Sequence, residues 1–429
     1  MRRFHHRLLF TLCVCALAGQ TVTLTAQAPM HPFAGSLTVI HNFNTAPDGS
    51  FPTGRLTMDS AGALYGVTEK EAQGCPAGAS WCGVVFQLTP PTIPGGPWSE
   101  TILHTFDAAP DGVLPTEGVV LDSAGAVYGT TTMGGLGFGT VFKLTPPKIP
   151  GGVWAETIVH AFKIDRGTSP TGVRLGMDGN LYGNTSDGFV FQLSPPVRPH
   201  VQWTYKVLYN TGAVDNSPGV ILAPDGTIYC AAKYPERVFQ VKPPTLPGGS
   251  WAGSTIYTFT SLHQGSGLNG DLLFDQATGA LYGTALQGGS NLHSKVCDLG
   301  CGTAFMLTPP SQPGGVWTEA TIHNFDPVHG FYPLAGLVAD SRGYLYGTTT
   351  QGGSAFQYFD PGGIVFKLTP PQKLGGAWSE TVLHDFSLDG NFNPTGVVTL
   401  DTSGTIYGTT MGDGQVGSYP NGTVFQIAP

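Results

Sequence analysis

The stretch SETVLHDF at Ser379–Phe386 returns near the other end of the chain as SLTVIHNF at Ser36–Phe43, identical at five of eight positions. Between the two copies runs one long self-similar array. A Leu, Ile or Val followed by Tyr occurs at Tyr65, Tyr128, Tyr182, Tyr229, Tyr282, Tyr346 and Tyr407, and Gly follows each Tyr except Tyr229, where Cys230 stands. Val-Phe or a close variant comes next, at Phe86, Phe142, Phe191, Phe239, Phe305, Phe366 and Phe425. A Pro-Pro pair, usually a Gly-Gly pair, and a Trp then lead into a segment of the SETVLHDF type. The Trp residues are Trp98, Trp154, Trp203, Trp251, Trp317 and Trp378. The last unit stops one segment short, at Ile427-Ala428-Pro429, and Ser36–Phe43 is the piece it lacks.

Each unit reads as four short strands. The first starts at a Gly (Gly54, Gly118, Gly172, Gly219, Gly270, Gly336 or Gly396) and ends in a turn rich in Asp, Ser and Gly. The LYGTT-like, GTVFKLTP-like and SETVLHDF-like segments supply the other three. A unit of this size with two apolar faces cannot stand alone, so neighbours stack, and four-stranded units point to propeller blades. The expected fold is all-β: a seven-bladed β-propeller with four-stranded blades near 54–106, 118–162, 172–209, 219–259, 270–325, 336–386 and 396–427. The N-terminal strand 36–43 closes the last blade beside Thr423–Ile427, leaving only short edges. The domain assignment is a signal peptide over 1–28 and a single propeller over 29–429.

Composition agrees. With 62 Gly and 35 Pro in 429 residues, long helices are excluded, and 41 % hydrophobic residues argue against disorder. Arg2, Arg3 and Arg7 precede a short apolar run, Leu8–Ala18, as in a secretory signal. Removal of that segment takes three Arg and no acids, leaving a net charge of −12. No basic stripe remains for nucleic acid. The mature chain is expected to have no transmembrane anchor and to be a monomer.

The motifs LYGTTTQGG at Leu345–Gly353, GTVFKLTPP at Gly139–Pro147 and ETVLHDF at Glu380–Phe386 resemble those of the GloVer-type tandem-repeat proteins of bacteria. The resemblance covers almost the whole mature chain. It implies a secreted, periplasmic or surface-displayed bacterial protein, and it brings no catalytic residues with it. Family members often carry interchangeable C-terminal anchors. This chain departs from that pattern, and Asn184 and Cys230-Ala231 depart from the Tyr-Gly-Thr-Thr motif.

Propeller geometry puts the hairpins between second and third strands on the same face as the blade-to-blade crossings. These hairpins vary most, so this is the expected binding face. One carries Phe356, Tyr358 and Phe359, which could stack on a sugar or peptide. Two others carry Cys75 and Cys82, and Cys297 and Cys301, expected as local disulfides because their spacings are not those of zinc sites. First strands line a central channel, where Arg55, Glu117, Arg174 and Asp271 interrupt apolar sequence and could orient a ligand or do acid–base work. His41, His104, His160, His323 and His384 share one repeat position, but on outer strands far apart, so they are read as structural. Turn acids such as Asp59, Asp122, Asp340 and Asp401 are read as turn formers. No metal and no cofactor is expected.

The function expected is that of a binding or interaction module whose partner is a glycan or an extracellular protein. The alternative is an extracellular polysaccharide lyase or hydrolase working at the channel mouth. Deleting residues 29–44 should expose a long strand edge and cause aggregation or a large loss of stability, measured by light scattering and thermal melting; an unchanged monomeric melt would refute the closing strand.

Overall fold

In the computed structural model, the described residues are 36–43, 47–72, 82–107, 110–165, 167–198, 201–216, 219–292, 295–312, 314–354, 362–373, 375–388, 393–412 and 421–429. They form an all-β propeller of four-stranded blades. In the third unit, for example, Pro170–Leu175, Leu181–Thr185, Phe189–Ser194 and Thr204–Asn210 pair in sequence order, each antiparallel to the next.

The first strand of the chain, Leu37–Asn42, lies antiparallel to Thr423–Ile427, with Leu37 opposite Ile427 and Asn42 opposite Thr423. It carries the irregularity seen in the other outer strands, here between Val39 and His41 and elsewhere opposite Val85–Phe86 or Val141–Phe142. The Phe43 amide donates to the Gly422 carbonyl at 3.1 Å, as Phe106 does to Gly83 and Phe162 to Gly139 at 3.0 Å. The N-terminal segment therefore behaves in every backbone detail as the outer strand of the last unit.

Hydrogen bonding separates six sheets where seven were expected, because the first two units share one eight-stranded sheet. Their first strands are long, Asp48–Met58 and Gly112–Leu121, and start well before the glycines at which they were expected to begin. They touch through one parallel bridge, Arg55 to Gly118. In the last three units the first strand shrinks to two residues, Leu273–Phe274, Val338–Ala339 and Thr399–Leu400.

The packing explains the motifs. The Phe of each Val-Phe lies opposite the Gly of the neighbouring Tyr-Gly, as Phe86 does Gly66 and Phe366 does Gly347. The ring covers that Gly so closely that a Cβ there would stand 2.5–2.6 Å from the phenyl carbons at Gly66, Gly129, Gly183, Gly283 and Gly347. The fourth unit places Cys230 opposite Phe239; the thiol is buried and its pKa is pushed up to about 12 by desolvation, so it is inert. Against six of the seven Val-Phe rings packs the last Phe of the preceding unit; Phe239 is the exception, because the third unit has Thr211 at that position. The centroid distances are 5.1 Å for Phe106–Phe142, 5.2 Å for Phe162–Phe191, 4.9 Å for Phe259–Phe305, 5.0 Å for Phe325–Phe366 and 5.3 Å for Phe386–Phe425. Phe43 repeats the contact on Phe86 at 5.1 Å, so the last unit packs on the first.

Tyrosine ties the turn to the next unit. The Tyr65 and Tyr128 hydroxyls donate to Asp59 and Asp122 at 3.2 and 3.0 Å. The other oxygen of each Asp accepts turn amides, such as Ala61 and Ala63 on Asp59, which makes these acids turn formers. The Tyr ring then meets a Trp from the following unit, 6.1 Å away in Tyr128–Trp203 and 6.0 Å in Tyr407–Trp98. Phe43→Ala should destabilise the chain by about 3–5 kcal/mol, as much as Phe106→Ala at an ordinary junction. Urea unfolding compares the two, and a negligible cost at Phe43 alone would mean the closing contact is dispensable.

Candidate functional site

At the propeller axis the first-strand glycines bring main chains together. A Cβ at Gly54 would collide with the Glu117 and Gly118 backbone, one at Gly336 with Asp271, and one at Gly396 with Gly54. Side chains are thus excluded from most of the axis. What remains is a cavity of about 350 Å³ on the face of the crossings, lined by Arg55, Glu69, Glu117, Asn269, Asp271 and Thr395, among others.

Three of the four axial charges expected from the sequence, Arg55, Glu117 and Asp271, line this cavity, and the fourth, Arg174, is ion-paired with Asp271 through Nη2 and Oδ2. That pair joins the third unit to the fifth. Gly219 of the unit between them makes room: a Cβ there would stand 2.9 Å from Asp271 Oδ1 and 3.2 Å from Arg174 Nη2. Arg174 Nη1 also donates to its neighbour's carbonyl, Val173, at 3.1 Å. Arg55 Nε and Asp271 Oδ1 are buried with no hydrogen-bond partner among the described residues, an arrangement that costs free energy until a partner arrives.

The electrostatics are lopsided. Burial, then the charge of Asp271, pushes the Glu117 carboxyl up to about 8, against an opposing pull from Arg174. Burial also raises Glu69, while burial and then the charge of Arg174 lower the Arg55 guanidinium. The cavity therefore holds, at neutral pH, a protonated carboxyl on Glu117 near a carboxylate clamped by arginine. Glu117 also has φ 69, a backbone conformation rare for a residue with a side chain. Glu69 was missed as a lining residue in the sequence. Its signal was its register: it stands four residues after Tyr65, as Met411 stands after Tyr407, and both reach the cavity.

A second cavity, about 690 Å³, opens between the sixth and seventh units, beside Tyr346, Lys367, Leu383, Leu400 and Ile427. The other tyrosines of the motif have a Trp from the next unit. At this junction the repeat position of the Trp falls on Gly35, because the outer strand comes from the N-terminus.

The rim histidines do lie on separate outer strands, yet His41, His104, His160 and His323 each meet the next unit. His41 Nε2 is 3.7 Å from Asp48 and 3.5 Å from Glu100; His104 Nε2 is 3.0 Å from Asp111 and 3.7 Å from Glu156. His323 faces Glu380 at 3.4 Å, and His160 stacks on Tyr205 at 4.2 Å. The Glu partners were missed because their register in SET was not matched to the histidines of the unit before. Burial raises Glu100 and Glu156 to about 8, each helped by its neighbouring aspartate. Burial lowers His41 and takes His160 down to about 4.

Cys297 and Cys301 form the expected disulfide, Cα atoms 5.2 Å apart. Cys82 is disulfide-bonded; Cys75 lies outside the described residues, as do Phe356, Tyr358, Phe359 and the 1–28 segment. Among the described residues no helix is long and apolar enough to cross a membrane.

The Gloeobacter/Verrucomicrobia repeat model matches residues 28–194 and 184–425. No curated protein sequence matches the chain. Among solved structures, a protein from Lactobacillus plantarum is 14 % identical over 78 % of this chain and 84 % of its own, with a TM-score of 0.48. A candidate 6-phosphogluconolactonase of Bacteroides uniformis is 15 % identical over 77 % and 87 %, with a TM-score of 0.46. A Trichoderma reesei carbohydrate-active enzyme of family AA12 is 14 % identical over 92 % and 95 %, with a TM-score of 0.40. No residue role is taken from these likenesses.

The raised carboxyls set a pH dependence. Glu100, Glu117 and Glu156 keep a proton in the folded chain up to about pH 8 and lose it near pH 4.5 when unfolded. Their contribution is fully present below pH 4.5 and is lost as pH rises through 8. The lowered histidines work in the opposite sense, but only below pH 6.5. Stability should therefore fall between pH 6.5 and 8.5, by up to about 1.4 kcal/mol per pH unit for the fully buried Glu117 and by less for Glu100 and Glu156, which water partly screens. Glu117→Gln should flatten that slope by about one proton's share in chemical denaturation at stepped pH; an unchanged slope would place Glu117 in water.

Proposed function

The chain belongs to the Gloeobacter/Verrucomicrobia repeat family, and from that premise we propose that it is an exported binding module built on a ring of seven blades, with its ligand site in the axial cavity. The eight-stranded sheet counts as two blades, since its halves carry separate Tyr-Gly and Val-Phe motifs and are joined in backbone pairing by a single parallel bridge. The disulfide at Cys297–Cys301 is in keeping with an oxidising compartment, the periplasm, cell surface or exterior.

The observation that carries the reading is the pair of buried, unsatisfied polar atoms, Arg55 Nε and Asp271 Oδ1, at a cavity of about 350 Å³. A small ligand rich in hydroxyls, such as a glycan end, supplies donors to Asp271 and acceptors to Arg55 and to protonated Glu117. The variable loops of the same face, with Phe356, Tyr358 and Phe359, are proposed to extend the contact.

A second reading is favoured by one feature. A carboxyl protonated at neutral pH beside a clamped carboxylate is the pairing an acid–base glycan lyase or hydrolase needs. A glycan array with the untagged mature chain separates the two. The binding reading expects retention of specific glycans without turnover, weakened at least tenfold by Arg55→Met or Asp271→Asn. Turnover abolished by Glu117→Gln or Asp271→Asn would replace it with the enzyme. Retention that ignores all three substitutions would move the site away from the axis.

A further inference from the structure

We propose that the rim clusters His41–Asp48–Glu100 and His104–Asp111–Glu156 are two repeat-related sites for a divalent transition-metal ion such as zinc, each bridging adjacent blades.

The geometry is that of a three-ligand site. In each cluster one imidazole nitrogen and two carboxylate oxygens lie within 4.8 Å of one another. Oxygen and nitrogen ligands about 2.0–2.2 Å from a tetrahedral zinc stand about 3.3–3.6 Å apart. The His41 Nε2 distances of 3.7 and 3.5 Å need only a few tenths of an ångström of contraction. The second cluster, at 3.0 and 3.7 Å, brackets the same spacing. One imidazole with two carboxylates leaves the fourth position open and suits zinc, manganese, iron or nickel better than calcium or magnesium, which prefer all-oxygen shells.

Four atoms of the two clusters lack a partner: His41 Nε2, Glu100 Oε1, Asp111 Oδ1 and Glu156 Oε1 are buried with no hydrogen-bond partner among the described residues. In the second cluster His104 Nε2 and Asp111 Oδ2 hydrogen-bond each other at 3.0 Å, a contact that an ion would replace. Two carboxyls facing each other out of water need a positive charge or a proton between them. A divalent ion meets both carboxylates and the imidazole together.

Repetition argues against chance. Each site takes its His from an outer strand, its Asp from the Asp-Gly of the following crossing, and its Glu from the outer strand of the next unit. Where the set is broken, the replacements fill the space differently. Tyr205 stacks on His160, and a Cβ at Gly253 would enter the Tyr209 ring. His323 faces Glu380 without a third ligand in a cluster among the described residues. The first site sits on the closing junction, so its ion would bind the N-terminal strand to the first unit and act as a structural clip.

The test uses the untagged full chain, stripped with chelator and titrated with zinc chloride at pH 7.5 by calorimetry, with metal content measured after dialysis. Two ions per chain are expected, with a rise in Tm of about 5 °C or more as the folded state gains a ligand. His41→Gln and His104→Gln should each leave one ion, the double variant none, and His160→Gln two. Glu100→Gln and Glu156→Gln, which remove charge without shortening a side chain, give the same count should a histidine variant fail to fold. Failure to retain zinc, manganese or nickel, or two ions retained by every variant, would overturn the proposal.

Discussion

The contact on which the ring depends is a phenyl ring laid over a glycine. Each Val-Phe ring needs the space that only Gly, or the small Cys230, leaves in the adjacent strand, and all but Phe239 offer their other side to a Phe from the preceding unit. The two conspicuous motifs are therefore the two halves of one interaction. Because the interaction passes from unit to unit, no blade buries its Phe alone, and the array is stable only when its ends meet. Phe43 on Phe86 is that meeting.

Closure has consequences at both radii. At the centre, main chains converge at Gly54, Gly336 and Gly396, beside a polar cavity. The charges admitted there come from blades far apart in sequence, so they are held by the whole ring and not by a local turn. Gly219 shows the rule: by omitting its own side chain it lets Arg174 reach Asp271 two blades away. At the rim, closure places His41, His104 and His323 against acids of the next blade, in a setting dry enough to raise Glu100 and Glu156 to about 8. The ring thus gathers its buried, proton-holding carboxyls at two places, the axial cavity and the junctions.

The cavity between the sixth and seventh units is the trace of that closure. At five other junctions a Trp that follows the Pro-Pro pair packs against the tyrosine of the preceding unit. At the closing junction the Trp position is held by Gly35 in the sequence, and a space of about 690 Å³ lies beside Tyr346.

The sequence by itself determined the repeat, the order of strands within a unit, the role of the turn aspartates and the place of Ser36–Phe43, because all of these follow from local pattern and from one missing segment. It also singled out Arg55, Glu117, Arg174 and Asp271, since charge in an apolar first strand is visible in a linear reading. The tertiary structure alone decided which groups meet. Arg174 and Asp271 lie 97 positions apart, and Glu100 stands far along the chain from His41. Nothing in either segment encodes the distance that ring closure imposes on them. Nor could local pattern tell that two long first strands would touch and merge the first two units into one sheet. That contact depends on how closely the blades converge at the axis, a property of the closed ring and not of any one repeat.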